Sequence, residues 1–342
     1  KSFTRRVVPG SSANSMVYHR LADNQYGPQM PPKGALPAKD IAVIKAWIEQ
    51  GADWPDALAN ETELPPLNPE AVAMIEALRK GDLASFMKAA EADPALLNAR
   101  GPEGSTPFMY AVLYSDTATL GRLLKLGADP NKHNDANATA LMWASRDLDK
   151  TRLLVRHRAE VNVRSDDYRT PLMIAARRPG AARIVKFLLD RGANPNPNSK
   201  PVSESSPLME ALTSGDERIV GLLIERGADA KATAEMGLGL AVTTGCEKGL
   251  RLLASRITDT NAYTIALELT AVFGNLEAVR LMLDHGADVN AVDPFGRTPL
   301  MYAAISDMFP LDVIKLLVER GADVNATDTH TKAGDAGLTV LD

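Results

Sequence analysis

Residues 170–196 read "TPLMIAARRPGAARIVKFLLDRGANPN", and this stretch decides the fold. Thr-Pro-Leu opens a short helix, because a proline in the first turn gives up an N–H that has no partner there anyway. "ARIVKFLLD" (182–190) spaces its apolar residues as a second helix. Glycine then ends it, since a left-handed cap is cheap only for glycine. Related starts recur on both sides: "TPFMYAV" at 106, "TALMWAS" at 139, "SPLMEAL" at 206 and "TPLMYAA" at 298. The intervals from 106 to 206 are 33, 31 and 36 residues. Two weaker starts, "MGLGLAV" at 236 and "IALELTA" at 265, fill the long gap before 298. The stops recur as well, as "LGADPN" at 126, "RGADAK" at 226, "HGADVN" at 285 and "RGADVN" at 320. A fixed period near 33 residues is the signature of a repeat array.

Several motifs in one order and one period resemble the ankyrin repeat, over about residues 70–342. The resemblance implies a mainly α solenoid of helix-turn-helix units joined by β-hairpin-like fingers. It gives about eight repeats. The first (70–100) is diverged, and the last is expected to be truncated, with "LTVLD" at 338–342 opening a further one. "NPNPNSKPVSES" (194–205) and "DTHTKAGDAG" (328–337) are expected to lengthen their loops, and the repeat from 236 lacks Gly-Ala-Asp.

A Gly-Ala-Asp also stands at 51, in "WIEQGADWPD" (47–56), but it does not belong to the series. Pro28, Pro31, Pro32 and Pro37 occupy the place of a first helix, and prolines forbid a continuous one. Residues 1–56, with "QMPP" and then "LPAKDIAVIKAWIEQGADWP", resemble instead the C-terminal part of a c-type cytochrome of exported bacterial proteins. The resemblance implies that Met30 is the axial haem ligand, held by Pro31 and Pro32. It also implies that Ile41, Ile44, Trp47 and Ile48 pack beside the haem. A soft thioether in a stiff loop suits iron. The plain alternative makes Met30 a loop methionine and Trp47 a core residue. The family's Cys-x-x-Cys-His motif is missing from this chain, where Cys246 precedes Glu247. Haem c is therefore expected only in a longer protein, and this chain alone is expected to hold none covalently. His19 reads as a surface residue. "PDALANETELPPLNPE", within 55–70, reads as a linker, giving domains at 1–56 and 70–342 with residues 57–69 between them.

Composition limits the function. A net charge of −5 gives no electrostatic reason for nucleic-acid binding, and no apolar run approaches the roughly 20 residues that span a bilayer. One cysteine, Cys246, forms neither an internal disulfide nor a thiolate metal site, and it reads as a small, partly buried helix residue. Phosphate-binding, metalloprotease and nucleophile-elbow motifs are missing, so the chain is not read as an enzyme. Met109, Met142, Met173, Met209 and Met301 share one repeat position and read as packing. His157 and His285 stand at ends of second helices, where a cation suits the dipole.

The ankyrin resemblance places the partner-binding surface on a concave face of first-helix ends and fingers. The candidates there are Leu113 and Tyr114, Arg146 and Asp147, Arg177 and Arg178, and Val272 and Phe273. Tyr168, Arg169, Phe295 and Arg297 are the finger candidates. Aromatics and arginines anchor protein interfaces, and the four central arginines, Arg146, Arg169, Arg177 and Arg178, suit an acidic partner. Two functions stay open: a binding array fused to an exported, periplasmic electron-transfer domain, or a haem-free scaffold, for which a cytoplasmic location is the alternative. Self-association through the solenoid ends is a third possibility.

Overall fold

The computed structural model describes residues 7–8, 10–22, 36–52, 65–197, 205–307 and 310–327. The chain forms two compact units, Lys1–Pro65 and Pro66–Asp342. Met30 and the linker expected from 57 lie largely outside the described residues. Residues 66–69 belong to the second unit, where Asn68 caps a helix that starts at Pro69.

In the first unit a short 3-10 turn, Ser12–Asn14, precedes helix α1 (Met16–Ala22) and helix α2 (Ala38–Glu49). Ser15 is fully buried and ties the turn together: it accepts from Val8 N at 2.8 Å and donates to Ser11 O at 2.8 Å. Gly10 N reaches Ile48 O at 2.7 Å, and the Ser12 hydroxyl reaches Glu49 at 2.9 Å. Ile48 is fully buried, whereas Ile41, Ile44 and Trp47 lie half-buried on the same stripe. Gly51 ends α2 at φ 110°, with Gly51 N on Ile48 O and Ala52 N on Trp47 O.

The second unit is a run of helix pairs. They are α3 (Pro69–Arg79) with α4 (Leu83–Ala92), α5 (Pro107–Tyr114) with α6 (Thr117–Lys125), α7 (Ala140–Ala144) with α8 (Leu148–Arg156), and α9 (Pro171–Ala176) with α10 (Ala182–Asp190). They continue as α11 (Pro207–Ser214) with α12 (Glu217–Glu225), α13 (Ala234–Thr243) with α14 (Glu247–Ala254), α15 (Thr260–Val272) with α16 (Leu276–Asp284), and α17 (Pro299–Ala304) with α18 (Leu311–Glu319). The first helix of each pair is called inner here and the second outer.

The start motif works as a cap. The hydroxyls of Thr106, Thr170, Ser206 and Thr298 accept from the amides of Met109, Met173, Met209 and Met301, and proline fills the next position. Outer helices take carboxylate or amide caps from Asp82, Asp116, Asp147, Asp216 and Asn275. The two weaker starts are misplaced by sequence. α13 begins at Ala234 and α15 at Thr260, capped by Asp259, because neither carries a hydroxyl-proline start to fix the register. Among the described residues no strand forms; one antiparallel bridge, His133 to Thr139, is all that the fingers retain of a hairpin. The fingers are closed by turns and side-chain bonds instead.

The recurring stop has a structural meaning beyond ending a helix. Gly127 (φ 106°), Gly192 (84°), Gly227 (84°), Gly286 (86°) and Gly321 (93°) all adopt the left-handed cap. Arg158 takes the same conformation at φ 66° without being glycine. Four residues further on, an asparagine side chain clasps the next repeat with both ends of its amide. Asn131 donates to Arg158 O at 3.0 Å and accepts from Glu160 N at 2.8 Å. Asn162 does the same to Gly192 O (2.9 Å) and Asn194 N (2.8 Å), and Asn196 to Gly227 O and Asp229 N, both at 2.8 Å. Asn98 and Asn290 repeat the clasp on Gly127/Asp129 and Gly321/Asp323. Each clasp satisfies a helix-end carbonyl and a turn amide that no helix bond reaches.

The core runs along the pairs in two clusters, Met74 to Ala159 and Leu172 to Ala322, with Val161 packed against both. Met109, Met142, Met173 and Met301 are buried, and Met209 is half-buried. Cys246 is not a partly buried helix residue: it is fully buried and precedes α14 at the cap position.

Candidate protein-binding surface

The exposed ends of the inner helices form a row of candidate contacts. At the end of α5, Tyr114 is 51% exposed and Leu113 52%. Tyr114 stacks parallel to the buried Tyr110 at 6.5 Å, and Tyr110 meets Trp143 edge-on at 5.4 Å. Arg79 donates to the Tyr110 hydroxyl at 2.8 Å and covers its ring. The Lys150 ammonium donates to Val112 O at 2.7 Å, which fixes the end of α5 against the next pair. Tyr114 is thus a surface ring on a rigid aromatic base. Sequence reasoning finds Tyr114 but not Tyr110, Trp143 or Arg79, whose signal would have been the side-by-side repeat positions of two aromatics.

The four central arginines do not act alike. Arg177 lies 3.6 Å from the buried carboxylate of Glu210, one repeat on, and Glu210 also accepts from Ser205. Arg169 pairs with Asp167 at 3.3 Å. Arg146 and Arg178 are exposed and make no ion pair among the described residues. Asp147 is no surface partner: its carboxylate caps α8 through the amides of Asp149 and Lys150. Proximity in sequence therefore overstates the cluster, and the free cations are two.

On the fingers, Tyr168 is 46% exposed in a left-handed conformation (φ 64°), with the Arg164 guanidinium 4.4 Å above its ring. Phe295 is 63% exposed. Its amide and that of Arg297 both donate to Asp293 at 2.8 Å. The Tyr302 hydroxyl also donates to Asp293. That bond, together with burial, pushes the Tyr302 hydroxyl up to about 12. Burial works against ionising Asp293, but the Tyr302 hydroxyl and the two amides outweigh it and hold the carboxyl below its ordinary value. Glu268 is pushed up by burial, and further by the Asp293 charge.

Phe273, 50% exposed, closes α15 beside the half-buried Val272, whose carbonyl accepts from Ser306 at 2.6 Å. Ile305, 62% exposed, stands at the repeat position of Arg146 and Arg177. Sequence reasoning passes over it, although the distance from Thr298 would have found it.

Of the residues expected beside a haem, only those on α2 fall among the described residues. Met30 lies outside the described residues, Cys246 is buried in the repeat unit, and the His19 ring nitrogen Nε2 lies 2.8 Å from Ala13 O. Trp47 is half-buried and Ile48 fully buried on α2. Among the described residues no group of three histidine, cysteine, aspartate or glutamate side chains is placed to hold a metal ion, and no helix is long and apolar enough to cross a membrane.

Capped helix pairs, left-handed glycine stops and a period near 33 residues define an ankyrin-type helical repeat. The family described as Ankyrin repeats (3 copies) matches residues 74–165, 108–199, 147–234, 172–264 and 238–328. These matches together cover well over half of the chain, which belongs to the ankyrin repeat family. They begin at residue 74, and none covers the segment that resembles a cytochrome. Among curated relatives, an ankyrin repeat protein of Acanthamoeba polyphaga mimivirus is 30% identical over 137 residues, which is 40% of this chain and 18% of the relative. Inversin of Canis lupus familiaris is 26% identical over 224 residues, 66% of this chain and 15% of the relative. The chain thus spans less than a fifth of either relative's length. No catalytic family is indicated by these matches.

Proposed function

We propose that this chain is a haem-free protein-interaction module that holds a protein partner along its inner-helix ends and fingers. The observation that carries this reading is the pair of unengaged arginines, Arg146 and Arg178, in one row with the exposed anchors Tyr114 and Phe273. Rigid aromatics with free guanidiniums are the side chains that dominate interface energetics, and they fit a partner with an acidic contact segment.

Photo-crosslinkers at Tyr114 and Phe273, with Lys125 on the outer helix α6 as control, test the face used. The same partner captured from both inner positions, and lost in Arg146→Glu/Arg178→Glu, supports the reading. Equal capture from Lys125 overturns it. Light scattering on the purified chain separates a foreign partner from stacking of copies.

A second reading makes the first unit an electron-transfer domain of an exported, periplasmic protein, with Met30 as a haem ligand. It is favoured by one observation, the half-buried stripe of Ile41, Ile44 and Trp47 on α2. The natural protein, expressed in a host that matures c-type cytochromes, gives a pyridine haemochrome signal under this reading and none under the first.

A further inference from the structure

The clasps that lock one repeat to the next fail at two successive junctions. Lys231 stands where Asn131, Asn162, Asn196 and Asn290 stand in other repeats, so α11–α12 sends no clasp forward. The receiving end has changed as well. After α14 the chain turns without a left-handed residue, and Ile257 N bonds back to Leu253 O, whereas Ala193 N reaches one residue further, to Leu188 O. At the next junction the clasp position falls on Thr260, the first residue of α15. A single bond replaces the pair there, from Asp288 N to the Thr264 hydroxyl at 3.0 Å.

The packing at this second junction is uneven across the layer. The inner helices are tight: a Cβ on Gly239 of α13 would come within 2.8 Å of the Leu269 side chain on α15. Between the outer helices α14 and α16 lies a groove of roughly 130 Å³, lined by Leu250, Arg251, Ala278, Arg280 and Leu281 among others. Ion pairs that tie other outer helices, Arg122–Glu91, Arg226–Asp190 and Arg320–Asp284, have no counterpart across α14 and α16 among the described residues. On the buried side, the Tyr263 hydroxyl of α15 donates to Ala254 O at 2.7 Å and to Ile257 O at 3.0 Å. A tight, bonded inner side with an open outer side and no asparagine clasp is the geometry of a hinge.

We propose that the array is articulated here: the block from α3 to α14 and the block from α15 to α18 rock about the α13–α15 contact, opening and closing the outer groove. In a stack held by nearest-neighbour contacts alone, the junction with the most open outer side moves first. The motion changes the curvature of the row that carries Tyr114 at one end and Phe273 at the other, whichever partner that row holds.

Spin labels at equivalent positions test it in the full chain with Cys246→Ala. Lys248→Cys with Glu277→Cys spans the proposed hinge at the second residue of α14 and of α16. Arg183→Cys with Arg218→Cys spans the clasped junction between α10 and α12 at the same positions. All four sites are exposed. The expected distance distribution is at least twofold broader across the hinge, and equal widths overturn the proposal. Hydrogen exchange on the unsubstituted chain is the second readout, independent of labelling. At least tenfold faster exchange in α14 than in α12 supports articulation, and equal rates overturn it.

Discussion

Arg158 carries strain that its five glycine counterparts avoid. A side chain in the left-handed region costs roughly 1–2 kcal/mol, offset in part by the greater unfolded-state freedom of glycine. Its side chain is exposed, and only its backbone carbonyl takes part in the Asn131 clasp. Arg158→Gly is therefore expected to stabilise the array by about 0.5–1 kcal/mol, seen as a later chemical-denaturation midpoint. Glu268 gives a second test, through pH. Its folded pKa is raised by burial and by the nearby Asp293 charge. Its charged form is thus penalised at neutral pH, and the penalty fades as pH falls through the raised folded value and is gone below the ordinary glutamate range near ~4.3. Glu268→Gln should raise the melting temperature at pH 7, with the gain shrinking toward pH 4. Asp293 runs the opposite way. Its folded pKa is lowered, so its contribution is present above the ordinary aspartate range and is lost as pH falls through the folded value.

At the scale of elements, the asparagine clasp decides register. Asn162 makes two bonds to backbone groups of the next repeat. A typical hydrogen bond is worth about 0.5–1.5 kcal/mol net, so Asn162→Ala should cost about 1–3 kcal/mol. Lys231→Ala, at the same repeat position but without a clasp, should change stability by no more than about 0.5 kcal/mol. Paired thermal melts check the difference. This is also where sequence and structure part. The starts at 106, 170, 206 and 298 are legible because hydroxyl and proline each have one physical job at a helix start. The helices α13 and α15 are misplaced because their registers are set by packing and by Asp259, with no local signal of that kind. The Gly-Ala stop at 51 makes the same backbone cap as those at 127 and 192, so a cap by itself does not announce a repeat. The side chains that follow do.

For the whole molecule, the candidate surface is only partly legible. Exposure of Tyr114, Phe273 and Phe295 follows from repeat register, since equivalent positions point the same way in every unit. Which arginines are free does not follow, because Glu210 and Asp167 reach Arg177 and Arg169 only in the folded chain. Under the proposed function, partner binding should weaken as salt rises, since exposed charges are screened within about 8–10 Å at physiological ionic strength. Arg146→Ala/Arg178→Ala should lower affinity by about threefold to tenfold, in line with exposed ion pairs of 0.2–1 kcal/mol each, and flatten the salt dependence. Isothermal calorimetry at two salt concentrations with the captured partner measures both.

Because every clasp grips the same two backbone groups of its neighbour, the couplings between units are interchangeable. A chain lacking residues 163–196 would bring Asn162 to the carbonyl of Gly227 and the amide of Asp229, the partners that Asn196 now holds. Such a shortened chain should keep its helical circular dichroism and a cooperative melt. Removing one unit from the stretch between Lys231 and Gly286 leaves no matching coupling to rejoin. Whole units can thus be lost or duplicated wherever clasps join them.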